Sequence, residues 1–80
     1  MLFASVKVTF SETNSKKGNP IRVVKFSNAN KEITVFFMLT NDFWFKKKVS
    51  EFDKAYAKGI FKIKYEIRKG FVNILEYITE

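Results

Sequence analysis

A mostly β protein with one short helix is predicted by this sequence, and three observations lead there. Residues 2–10 and 60–67 alternate in side-chain character with the period of a strand, and residues 33–40 form an apolar run of strand length. Short clusters of Gly, Asn, Ser and Lys punctuate the chain between these runs. One stretch, residues 50–58, carries the start, the spacing and the stop of a helix.

The first strand runs from Leu2 to Phe10, with Leu2, Ala4, Val6, Val8 and Phe10 on one face and Phe3, Ser5, Lys7 and Thr9 on the other. Residues 11–19 are polar and form a hairpin tip. There Gly18 permits positive φ, and Pro20, which lacks an N–H, is suited to open a strand rather than sit inside one. The second strand covers residues 21–26. Ile21 and Val23 fit one face while Val24 and Phe26 fit the other, a change of phase that predicts a bulge at Val23-Val24. After a turn at residues 27–32, the third strand runs from Ile33 to Thr40 and is apolar on both faces, until Asn41-Asp42 breaks it. Phe43-Trp44-Phe45-Lys46-Lys47-Lys48 follows as a connecting segment. Ser50 is the expected cap of the short helix, with Glu51 and Asp53 at its positive end, Phe52, Ala55 and Tyr56 at i, i+3, i+4 spacing on one face and Gly59 as its stop. Residues 60–67 form the fourth strand, Arg68-Lys69-Gly70 a tight turn, and residues 71–78 the fifth. Five strands with a short helix between the third and fourth match the layout of an OB barrel, with an SH3-like barrel as the alternative.

Eighty residues make a single domain, residues 1–80, with a small core. Ten phenylalanines exceed what such a core needs, so some are expected to face a partner or a second subunit. The formal net charge is +7, and all but Arg22 and Arg68 of the fifteen cations are lysine. Lysine is a mobile point charge suited to phosphate, whereas arginine suits bidentate base reading, so the balance favours sequence-tolerant contact with a polyanion. The chain has neither cysteine nor histidine, which excludes thiolate chemistry, the usual zinc sites and Ser-His or Cys-His catalysis. The eight acids are scattered, and Gly18, Gly59 and Gly70 stand alone rather than in a phosphate loop, so an enzyme is not expected and no metal or cofactor is called for. No apolar run reaches the ~20 residues of a membrane span. Residues 1–6 lack the basic start of a signal peptide, so the expected location is the cytoplasm, or a host's cytoplasm.

Lys17-Gly18-Asn19-Pro20, followed at once by a strand, resembles the first hairpin of OB-type single-stranded-DNA-binding proteins. Ala55-Tyr56-Ala57-Lys58-Gly59-Ile60-Phe61-Lys62-Ile63 is similar to a stretch of the filamentous-phage family of such proteins, as is a strand leading into Leu39-Thr40-Asn41-Asp42. The resemblance spans about residues 15–65. It implies a small OB-fold homodimer that coats single strands cooperatively with little sequence preference, in phage or plasmid replication. It also implies basic contacts at Lys16, Lys17, Arg22 and Lys25. The family's stacking tyrosine after the hairpin proline is Ile21 here, and the runs at residues 43–45 and 46–48 have no family counterpart.

Single-stranded nucleic acid needs cations for phosphates and π-faces for bases. The expected cations are Lys7, Lys16, Lys17, Arg22, Lys25, Lys46, Lys62 and Lys64, and the expected platforms are Phe36, Trp44 and Phe71. Lys46, Lys47 and Lys48 would hold phosphates while Trp44 meets a base. DNA is the expected ligand, and RNA offers the same chemistry. The alternative is a small basic protein-interaction module that binds an acidic partner through its third strand or Phe43-Trp44-Phe45. Insertion of those aromatics into a membrane surface ranks last, because six residues give an amphipathic segment too little area.

Overall fold

In a computed structural model, which describes residues 1–79, the chain forms six strands and one helix. The strands are β1 (Leu2–Ala4), β2 (Lys7–Asn14), β3 (Pro20–Ser27), β4 (Glu32–Met38), β5 (Lys62–Arg68) and β6 (Phe71–Ile78). The helix, α1 (Phe43–Lys58), lies between β4 and β5. Two antiparallel three-stranded sheets result, in the orders β1-β5-β6 and β2-β3-β4.

The strand count is six rather than five because the first expected strand breaks at Ser5-Val6. The Ser5 N–H donates to Phe61 O at 3.2 Å, toward one sheet, and the Val6 N–H donates to Ser27 O at 2.9 Å, in the other. The expected phase holds after the break and is reversed before it. Phe3 is buried before it and Val8 after it, while Leu2 and Val6 are exposed. The bulge expected at Val23-Val24 is absent, since β3 pairs with β2 and β4 in unbroken register. The register shift falls instead beside Lys64 and Tyr65, where Leu75 of β6 is passed over between Ile74 and Glu76. That bulge leaves Leu75 exposed and brings Tyr77 against the core. The expected closed barrel is not formed either. β4 and β6 lie side by side, but no strand pairing joins them among the described residues.

The helix is the largest correction. It begins at Phe43, seven residues before the expected cap, and spans 16 residues. Asp42 is the true N-cap, its carboxylate accepting from the Trp44 N–H at 2.8 Å. Glu51 and Asp53 are therefore mid-helix residues. The stop is as expected. Gly59 adopts a left-handed φ of 73°, its N–H donates to Tyr56 O, and the Ile60 N–H donates to Ala55 O. The tight turn between β5 and β6 is also as expected, with positive φ at both Lys69 and Gly70, as a two-residue hairpin requires.

Phe52 projects from α1 onto the inner face of the β2-β3-β4 sheet. Its ring centroid lies 5.6 Å from Phe10, 6.2 Å from Phe26 and 5.7 Å from Phe37. Val24, Phe26, Ile33, Val35, Phe37, Ile63, Tyr65 and Ile74 complete the buried core with Phe3 and Val8.

The Tyr77 hydroxyl is buried beside this core with no hydrogen-bond partner among the described residues. Burial, reinforced by the charges of Glu51 and Asp53, raises its pKa well above the ordinary 10.0. The tyrosine side chain therefore favours the fold fully below that ordinary value. Above pH 10 the unfolded phenol ionises while the folded one stays neutral, so stability falls as pH rises. Tyr77→Phe removes an orphaned hydroxyl and is expected to stabilise the protein by about 1 kcal/mol. It should also flatten the alkaline loss, which urea midpoints near neutrality and above pH 10 would measure.

Candidate nucleic-acid interface

Alternation along β2, β3 and β4 turns Val8, Phe10, Val24, Phe26, Ile33, Val35 and Phe37 toward the core. The outer face then carries Lys7, Thr9 and Ser11 of β2, Val23 and Lys25 of β3, and Thr34, Phe36 and Met38 of β4. Lys25 stands at the middle of this face, between Thr9 and Thr34, and Phe36 is diagonal to it beside Val23. Lys7 marks one end, opposite Ser27. Lys16 and Lys17 sit exposed at the tip of the β2–β3 hairpin beyond the other end. That tip is held by the Gly18 N–H donating to Ser15 O at 2.9 Å and the Ser15 N–H donating to Asn19 O at 2.7 Å. Gly18 takes the positive φ, 83°, that the turn needs.

Phe36 does not stand alone. Phe71, at the start of β6, meets it edge to face with ring centroids 6.4 Å apart, and the two rings are 50% and 63% exposed. This pair spans the seam where β4 and β6 run unpaired. A cleft of about 80 Å³ opens in the seam, lined by Phe36, Trp44, Lys48, Val72 and Asn73 among others. Trp44 is 55% exposed and belongs to the first turn of α1 rather than to a connecting loop. All three expected platforms are therefore neighbours along one seam, although Phe36 and Phe71 are 35 residues apart in sequence.

The expected cations divide into groups. Lys7, Lys16, Lys17 and Lys25 lie on the β2–β3–β4 face or at its hairpin tip, and among the described residues none meets a carboxylate. Lys46 lines a separate open groove of about 430 Å³ with Met38, Leu39, Thr40 and Asn41. Lys62 and Lys64 belong to β5 in the other sheet, with Lys64 between Leu2 and Glu76. Phe71 reaches the seam from that sheet, and these two lysines do not line the seam cleft.

Arg22 is tied elsewhere. Its Nη2 donates to Glu12 at 2.7 Å and its Nη1 to Asp53 of α1 at 2.7 Å, and its guanidinium lies 5.1 Å from the centroid of the Phe10 ring. Burial works against the Arg22 charge, but the hydrogen bonds and charges of Glu12 and Asp53 outweigh it and raise the pKa. With both carboxylates in place and its side chain only 12% exposed, Arg22 fastens the β2–β3 hairpin to α1.

Lys48 was grouped with its neighbours Lys46 and Lys47 in the sequence, yet it is the one of the three that lines the seam. Its Nζ donates to Ile74 O at 3.1 Å and lies 4.8 Å from the Trp44 ring centroid. The i, i+4 spacing of Trp44 and Lys48 carries that signal once the helix is known to begin at Phe43. Among the described residues, no group of His, Cys, Asp and Glu is arranged to hold a metal ion, and no helix is long and apolar enough to cross a membrane. No protein-family model, curated protein or solved structure matches this chain.

Proposed function

We propose that this protein binds single-stranded nucleic acid, with DNA as its ligand and little preference for sequence. One observation carries the proposal. Three largely exposed aromatic rings, Phe36, Phe71 and Trp44, line one seam beside a sheet face whose lysines meet no carboxylate among the described residues. Exposed aromatic rings cost solvation, and stacked bases would cover them, while the lysines supply counter-charge to phosphates. A +7 chain gains from a polyanion in the same way.

The fold supports this as an OB-like barrel left open at the seam. β1 and β2 then act as one bent strand shared between the two sheets, which returns the count to five. The helix falls between the third and fourth of those five, and the outer face of the second and third becomes the binding surface. An open seam flanked by aromatics suits extruded bases better than a closed wall.

In a titration with a fluorescent dT oligonucleotide at two salt concentrations, about four phosphates at the hairpin and on Lys25 give a slope of log K on log salt of about −3. Lys25→Ala should weaken every oligonucleotide to a similar degree, because phosphate contacts carry no sequence information. Salt-independent affinity would reject the electrostatic part of the proposal.

A homodimer belongs to the same proposal. Phe43 is 82% exposed on α1, outside the seam, and an 80-residue core is thin. Light scattering at micromolar concentration should give twice the chain mass, and a stable monomer would reject this assembly.

A further inference from the structure

Lys46, Lys47 and Lys48 are adjacent in sequence, but α1 sends them to different surroundings. Lys46 lines the groove beside Met38 and Leu39, and Lys47 lies with Phe43 and Lys54 on the outer flank of the helix. Lys48 is half-buried and is the only one of the three in the seam. Its ammonium is held by a backbone carbonyl, Ile74 O, and by the Trp44 ring. Neither carries a negative charge, and among the described residues no carboxylate meets it. An ammonium has three donors, and the Ile74 carbonyl uses one. A cation partly withdrawn from water without a counter-charge attracts an anion more strongly than a fully solvated lysine does.

The walls of the seam narrow the choice of ligand. Phe36 and Trp44 line it with flat rings, and Asn73 adds an amide whose Nδ2 donates to Glu66 at 3.2 Å. An inorganic anion or a carboxylate would satisfy Lys48 and leave both rings in water. A ligand that is flat, aromatic and anionic uses every part of the cleft, and a nucleotide is such a ligand.

We propose that the seam between β4 and β6 is a subsite for one nucleotide of the strand, with its base against Phe36 and Trp44 and its phosphate on Lys48. This assignment rests on the single-strand function proposed above and names the residue that anchors the strand at the helix. The bound strand crosses the outer face from the hairpin lysines past Lys25 and enters the seam beside Phe36.

The test uses Trp44, the only tryptophan, as the reporter. Wild type, Lys48→Met, Lys48→Arg and Lys46→Met are each titrated with a short dT oligonucleotide at two salt concentrations, and each is melted. Methionine preserves the apolar stem and removes the charge. Lys48→Gln is the second variant should Lys48→Met not fold, since it keeps a donor for the Ile74 carbonyl. Wild type should bind with quenched fluorescence. Removing the Lys48 charge should weaken binding about tenfold, the scale of one charged hydrogen bond. It should also make the salt slope shallower by about 0.7, the share of one single-strand phosphate. Lys48→Arg should restore the slope, and Lys46→Met should change affinity less than Lys48→Met.

Unchanged affinity and slope on loss of the Lys48 charge would overturn the subsite and leave the wider interface standing. No binding by wild type would overturn the single-strand function itself. Thymidine monophosphate separates a strand from a free nucleotide. Quenching only at far higher concentration than the oligonucleotide supports a strand, and equal affinity would overturn it in favour of a free-nucleotide site.

Discussion

Phe52→Ala is expected to remove about 3–5 kcal/mol of stability, the cost of truncating a fully buried large aromatic. The total for a domain of 80 residues is about 4–12 kcal/mol. A large share of the folding free energy therefore depends on one side chain that α1 delivers to the inner face of the β2-β3-β4 sheet. The environment explains the size of the effect. Phe52 meets Phe10, Phe26, Phe37 and Tyr56 as ring neighbours, so truncation leaves a cavity bounded by rigid rings from both the sheet and the helix. Phe43→Ala provides the contrast. Phe43 is a helix residue of the same type but 82% exposed on the single chain, and at concentrations low enough to keep the chain monomeric its loss should change stability by no more than about 0.5 kcal/mol. Urea denaturation followed by circular dichroism separates the two. Equal midpoints for both variants would contradict the placement of α1 over the core.

Phe36→Ala and Phe71→Ala carry the second large effect, this time on binding. Stacking of a base on an aromatic side chain is worth about 1–3 kcal/mol by alanine substitution, so each variant should bind single strands about 5- to 150-fold more weakly. Neither should melt much earlier than wild type, because at 50% and 63% exposure each ring has little core to lose. The two rings touch each other at 6.4 Å, so their effects should not simply add. The double variant is expected to lose less than the product of the single losses, since removing one ring already disturbs the platform formed by the other. Anisotropy of a labelled oligonucleotide, measured beside a thermal melt of each variant, gives both quantities. Variants that melt early yet bind normally once folded would remove the pair from the interface.

Much of this architecture can be read from local sequence. β4 was legible as a continuous apolar run between turn signals, and Gly59 and Gly70 marked a helix stop and a hairpin because each takes positive φ. The break at Ser5-Val6 was not legible. Both phases of residues 2–10 offer apolar side chains, and which phase is buried depends on the handover of hydrogen bonds to Phe61 and Ser27, far along the chain. The helix start was hidden by a decoy. Ser50, Glu51 and Asp53 imitate a first turn, while the true cap, Asp42, precedes an aromatic and lysine run with no acidic residue in its first turn. Phe45, Val49, Phe52 and Tyr56 do keep helical spacing through that run, and this is the signal that extends the helix backward.

The site divides along the same line. Phe36 and Lys25 could be placed on an outer face from alternation alone. The partner of Phe36 could not, because Phe71 comes from the other sheet and meets it only where β4 and β6 fail to pair. Arg22 looked like any strand cation, and its role depends on Asp53, 31 residues away on the helix. Lys48 differs from Lys46 and Lys47 only through the turn of the helix that carries it.

The most direct test of a seam-centred interface is residue-resolved. Amide and indole N–H resonances are recorded by NMR as a dT oligonucleotide is added to the labelled protein. The expected shifts cluster at Lys25, Phe36, Trp44, Lys48, Phe71 and Asn73 and along the hairpin tip at Lys16 and Lys17, while Lys64 and Leu2 on the far sheet stay in place. Shifts centred on the outer face of β1 and β5, with the Trp44 indole unmoved, would contradict it.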